Sequence, residues 1–132
     1  MNGIVHFEIP VDSPEETKKF YSEVFGWNIS QWENQDYWMA ETTEMDKETQ
    51  RPKNPGAGIN GGIMKREGEF TSPILTIAVE DIDEHLKKIE AAGGTTVKGK
   101  QSIGEMGWTA YFKDNQGNIM GLWQNNNAPK SE

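Results

Sequence analysis

Sliding the 132-residue chain along itself by 68 positions pairs Ile9 with Ile77, Val11 with Val79, Asp12 with Glu80, Glu16 with Glu84, Lys19 with Lys87 and Gly26 with Gly94. A repeat of this kind constrains the fold more than any single motif, because whatever one half forms the other must form too. In each half an apolar strand pattern leads through an acidic cap into a helix that stops at glycine. At this length the expectation is a single domain made of two similar halves.

In the first half, Ile4 to Val11 alternates, with Val5, Phe7, Ile9 and Val11 on one side and Ile4, His6, Glu8 and Pro10 on the other. That is the pattern of a strand with one apolar face. Ser13-Pro14-Glu15-Glu16 supplies an N-cap, a proline at the first helical position and a glutamate three residues after the cap. Thr17, Phe20, Tyr21, Val24 and Phe25 then recur on one helical face, and Gly26 closes the helix. Short strands are predicted over Asn28–Trp32 and Tyr37–Glu41. Residues 42–57 are charged and aperiodic, with Pro52 and Pro55, and read as a long mobile connection that folds over a site as a lid or stays solvated. A glycine-rich strand, Gly58–Met64, and a polar linker, residues 65–72, complete the half.

The second half repeats the order. Ile74–Val79 is strand-like, and Asp81 caps a helix whose buried stripe is Ile82, Leu86, Ile89 and Ala92 before Gly93-Gly94 stops it. His85 falls at the edge of that stripe, as a solvated or half-buried helical residue. Strands are expected over Val97–Gln101, Trp108–Lys113 and Asn118–Gln124, with Asp114-Asn115-Gln116-Gly117 as a turn. The residues from Asn125 read as a loose polar tail.

Composition removes several chemistries. The absence of cysteine excludes thiolate nucleophiles, disulfides and sulfur-ligated zinc. A net charge of −8 opposes nucleic acid and anionic membranes. No apolar run reaches the roughly 20 residues of a membrane helix, and Met1 leads directly into a strand pattern, so a cytoplasmic location is expected. Five Trp, five Phe and three Tyr point to a core built on aromatic side chains.

The strand carrying His6, the run Pro14–Trp27 ending in Phe-Gly-Trp, the end of the second helix at Ala91-Ala92-Gly93-Gly94, and Lys113-Asp114-Asn115-Gln116-Gly117-Asn118 together resemble the vicinal oxygen chelate superfamily. Its members include glyoxalase I, extradiol dioxygenases, and the bleomycin and fosfomycin resistance proteins. The similarity covers residues 3–124, and the glyoxalase-related branch is the nearest in kind. It implies an α+β fold of two tandem βαβββ modules, over 3–64 and 73–124, forming an open eight-stranded cup with the helices outside.

In metal-dependent members of that superfamily, ligands come from the first strand of each half and from the last strand of one or both. His6 stands at the first of these positions. Its repeat partner is Ile74, the closing strand carries Gly121 where a glutamate is usual, and the corresponding strand of the first half offers Gly61, Gly62 and Ile63. His6 is therefore read as the remnant of a metal centre. No cofactor is expected, with a divalent ion held by His6, Glu8 and a donor from elsewhere as the minor alternative.

His6 and Glu8 share a strand face and are the candidate acid-base or binding pair at the cup floor, against the plainer reading of a hydrogen-bonded polar pair in a cavity. Trp38, Trp108 and Trp123, with Gly121 leaving space beside Trp123, are candidate contacts for a flat or cationic ligand. For each tryptophan singly, a core position is the competing reading. Two functions follow: a metal-free module binding an aromatic or amphipathic small molecule, or a glyoxalase-related lyase or isomerase using His6 and Glu8. A vestigial cup acting through protein contacts is the third. The resemblance also implies a homodimer, because ligands of the resistance proteins often bind between two subunits.

Overall fold

The cap at Ser13 forms as its sequence dictates: its Oγ accepts the Glu16 amide at 3.2 Å, Pro14 opens helix α1 (Pro14–Phe25), and Gly26 ends it at a φ of 73°. Asp81 repeats the device, accepting the Glu84 amide at 3.1 Å at the start of α2 (Ile82–Ala91). The computed structural model describes residues 1–49, 51–54 and 56–126. The strands are β1 (Ile4–Val11), β2 (Asn28–Gln31), β3 (Tyr37–Glu41), β4 (Met45–Asp46), β5 (Arg51–Pro52), β6 (Gly61–Lys65), β7 (Ile74–Ala78), β8 (Thr95–Ile103), β9 (Gly107–Lys113) and β10 (Ile119–Asn125). The order is the predicted α+β arrangement of two βαβββ modules, with β4 and β5 added in the first.

Two units divide the chain, His6–Pro73 and Met1–Val5 together with the chain from Ile74 onward. In the first, strands lie in the order β2-β3-β6-β1. β1 runs parallel to β6, with Glu8 opposite Gly62 and Ile9 opposite Ile63, and β3 is antiparallel to both β6 and β2. Alternation then sorts the side chains: Ile63, Ala40, Ile29 and Val11 form the buried cluster, with Phe7, Ile9, Tyr21, Trp27 and Trp38 packed against it. His6, Glu8, Tyr37, Met39 and Gly62 belong to the other face.

The second unit has the order β7-β10-β9-β8, with β10 parallel to β7 and antiparallel to β9. Its core is Val79, Ile82, Ala110, Phe112 and Leu122, joined by Ile77, Leu86, Ile89, Trp108 and Met120. Ala92, expected in the helix's buried stripe, is instead its exposed cap. His85 is half-buried, with Nδ1 3.2 Å from the Asp81 carbonyl.

The two helices differ. Ile82 of α2 is fully buried, whereas α1 buries no residue, and Phe20, Val24 and Phe25 are 54%, 56% and 61% exposed. Of the apolar face read from the periodicity, Tyr21 alone is packed onto the module's core, stacked on Trp27 at 4.5 Å.

Three segments depart from their sequence reading. Residues 42–57 are not wholly aperiodic: β4 and β5 pair, and Lys53 Nζ lies 2.9 Å from Glu44. Gln50 and Pro55 of this connection lie outside the described residues. The linker 65–72 is anchored, because Phe70 is buried and Arg66 meets Asp12 at 2.7 Å. At the other end, β10 continues through Asn125, and the Asn126 amide donates to the Met106 carbonyl. The rest of the tail, 127–132, lies outside the described residues. Among those described, no helix is long and apolar enough to cross a membrane.

Candidate functional site

β1 presents His6 and Glu8 to the face of its sheet opposite α1. Glu8 is 7% exposed, and His6 Nε2 lies 2.9 Å from the Tyr37 hydroxyl, which either accepts from or donates to the ring according to the imidazole tautomer. Burial lowers the His6 pKa from its ordinary 6.5, and the neighbouring charge of Glu8 opposes that shift. Burial dominates and favours the neutral ring, with one nitrogen to donate and one to accept.

Tyr37 reaches His6 across Gly62. A Cβ at position 62 would overlap the Tyr37 Oη and Cζ, so the phenol fills the space that a side chain there would need. Gly61 is bare for a different reason: its Cβ would collide with the Phe7 carbonyl and ring. The glycine pair is therefore a packing requirement of this module, with one glycine admitting the tyrosine and the other admitting β1.

In the second module, Gly121 lies opposite Thr76 on β7 and Tyr111 on β9, and Trp123 opposite Ala78 and Thr109. Thr76 is 4% exposed, and a Cβ on Gly121 would sit 2.7 Å from its Oγ1. The space expected beside Gly121 is thus occupied by Thr76. Trp123 lies over Gly107, whose Cβ would come within 2.9 Å of the indole Cζ2. Gly121 and Trp123 share one face, as their spacing predicts.

Trp38 and Trp108 are placed elsewhere. Each packs against the core of its own module, on the opposite face of the sheet from His6 in one case and from Trp123 in the other. Lys100 Nζ lies 4.9 Å from the Trp108 ring centre, a cation–π contact. The structure brings His6 and Glu8 together and Gly121 and Trp123 together, and puts neither Trp38 nor Trp108 with them. The residue missed in the sequence is Tyr37. Its one available signal was the bare Gly61-Gly62 strand, which required a bulky side chain from a neighbour.

The chain belongs to the Glyoxalase/Bleomycin resistance protein/Dioxygenase superfamily, whose family pattern it matches over residues 3–121. Among solved structures it is similar to a hypothetical protein from Bacillus halodurans C-125, with a TM-score of 0.62, 12% identity, and coverage of 99% of this chain and 98% of that one. It is also similar to methylmalonyl-CoA epimerase from Mycobacterium tuberculosis, with a TM-score of 0.59, 16% identity, and coverage of 96% and 89%. A Streptomyces coelicolor methylmalonyl-CoA epimerase variant in complex with 2-nitronate-propionyl-CoA gives a TM-score of 0.62 at 15% identity, covering 98% and 99%. At these identities the likeness is one of fold. No curated protein matches the chain in sequence.

The donor set does not fit the divalent centre associated with this superfamily. Of the positions that resemblance marks, His6 has its Nε2 engaged by Tyr37, Ile74 is a buried hydrocarbon, and Gly62 and Gly121 are covered by Tyr37 and Thr76. Among the described residues, no three His, Asp or Glu side chains come together as a cation site. A divalent ion with open positions needs about three protein donors, and these residues supply at most an imidazole and a carboxylate.

Proposed function

We propose that this protein binds an aromatic or amphipathic small molecule on the sheet faces opposite its helices, without a divalent ion, as a cytoplasmic homodimer. One observation carries the reading: Tyr37 lies on His6 and over Gly62, leaving a hydrogen-bonding face in place of a metal-binding one. Within the first unit His6 and Glu8 supply polar contacts, and within the second Trp123, beside Gly121, supplies a stacking surface. Trp38 and Trp108, packed onto the cores, are given no part. Polar groups and aromatic surface are the two kinds of contact that small-ligand sites generally use.

A second reading, a lyase or isomerase of the glyoxalase-related type, is favoured by the 2.9 Å His6–Tyr37 contact. It gives His6 a proton-transfer route through a phenol, with Glu8 on the same face.

Titration with the amphipathic aromatic dye anilinonaphthalene sulfonate, read by fluorescence, tests the binding proposal. Trp123→Ala is expected to weaken uptake about tenfold, the equivalent of about 1.4 kcal/mol, with added zinc changing nothing and circular dichroism unaltered. Unchanged affinity in the variant, or uptake that requires zinc, overturns it. His6→Ala separates the two readings, since a binding module loses affinity and an enzyme loses turnover.

A further inference from the structure

Buried hydroxyls are nearly always hydrogen-bonded, and one that is not asks for a reason, because valine fills almost the same space with no polar atom to leave unpaired. The face of the second module away from α2 carries two threonines that differ in this respect. Thr109, opposite Trp123, donates its Oγ1 to the Leu122 carbonyl at 3.2 Å. Thr76, opposite Gly121, is 4% exposed, yet among the described residues its hydroxyl finds no hydrogen-bond partner. Asn60 Nδ2 is the one fully enclosed side-chain polar atom left unpaired among those residues. The small surface that Thr76 keeps therefore includes its oxygen.

The hydroxyl is also directed. Around the point that a Gly121 Cβ would take, Thr76 places Oγ1 at 2.7 Å, Cβ at 3.4 Å and its methyl at 3.5 Å, so the polar end is turned onto the glycine. Trp123 follows two residues along β10 on the same face. Two residues of strand span about 6.6 Å, roughly the length of a two-ring aromatic. The β7 residue beside Trp123 is Ala78, a single methyl, so β7 sets no bulky side chain against the indole.

We propose that Thr76 determines which molecules this face accepts: aromatic compounds bearing an oxygen on the ring, a phenol or an aryl ketone, stacked on Trp123 with that oxygen hydrogen-bonded to the Thr76 hydroxyl. The hydroxyl donates and accepts, so it suits either oxygen. A ring without one covers the hydroxyl and leaves it unpaired, which is how a buried polar group discriminates against an apolar analogue. The inference rests on the preceding reading of Trp123 and adds the ligand class.

Equilibrium dialysis of the full chain against 2-naphthol and against 2-methylnaphthalene, two probes of nearly the same shape, tests it. Thr76→Val is expected to weaken 2-naphthol about tenfold, the scale of one hydrogen bond, and to leave 2-methylnaphthalene unchanged or tighter. Thr76→Ser keeps a hydroxyl and is expected to keep the preference for 2-naphthol. Trp123→Ala weakens both probes alike. A hydroxyl with a purely structural role would instead lower the urea midpoint in Thr76→Val and move both probes together, and that result overturns the proposal. Uptake of both probes with a preference unchanged in Thr76→Val overturns the assignment of Thr76 and leaves that of Trp123 standing. A wild type that takes up neither probe overturns the preceding reading together with this one.

Discussion

Gly62→Ala is expected to destabilise the protein by about 1–3 kcal/mol, the usual cost of forcing one extra carbon into a filled space. The cause is specific, because the new Cβ meets the phenol of Tyr37, and Tyr37 is itself held by His6 at 2.9 Å. The cost should therefore depend on the tyrosine. In a Tyr37→Ala background the same substitution should be close to neutral, giving a coupling energy of about 1 kcal/mol or more in a double-mutant cycle measured by urea unfolding. Gly99→Ala is the control: nothing lies within 4 Å of its Cβ, and its effect should stay within about 0.5 kcal/mol. If Gly62→Ala costs the same with and without Tyr37, the phenol does not fill that position.

Ile82→Ala is expected to cost about 2–5 kcal/mol, the range for truncating a buried aliphatic side chain. Ile82 has no exposed surface and packs with Val79, Ala110, Phe112 and Leu122, so its removal leaves a cavity the neighbours cannot wholly close. Phe20→Ala, a larger truncation on the equivalent helix of the other module, should cost less, about 1 kcal/mol when measured at dilution, because the ring is 54% exposed and its ring contacts are to Tyr21 and Phe25 of the same helix. The comparison states the asymmetry of the modules in energies. Equal costs at the two sites would mean that α1 is packed down as α2 is.

The elements written by local signals were legible in the sequence. Ser13-Pro14 and Asp81 with Glu84 fix where helices begin, the glycines where they end, and the alternation of β1 put His6 and Glu8 on one face. What could not be read depended on non-local pairing. In Tyr37-Trp38-Met39-Ala40 every residue is apolar or aromatic, so no alternation says which ring faces the core; register against Ile63 decides that it is Trp38. The role of Tyr37 arises only when β3 brings it across Gly62 to a histidine 31 residues earlier. Gly121 read as open space because its neighbour Thr76 comes from another strand. The amphipathic period of α1 was visible, but periodicity states that a face is apolar and not what covers it.

That the ligand positions implied by the resemblance carry Ile74 and Gly121 was visible in the sequence; which side chains cover the glycines was not. Tyr37 over Gly62 and Thr76 over Gly121 turn the two bare positions into packed ones. A glutamate placed at either would have to displace a neighbour before it could bind a cation.

Native mass spectrometry of the full chain, purified without chelator and then incubated with an equimolar divalent cation such as zinc, tests this account most directly. The prediction is a protein whose mass carries no stoichiometric metal before or after incubation, and which keeps any co-purified organic molecule when the metal is added. One metal ion per chain, retained by the wild type and lost in His6→Ala, would contradict it.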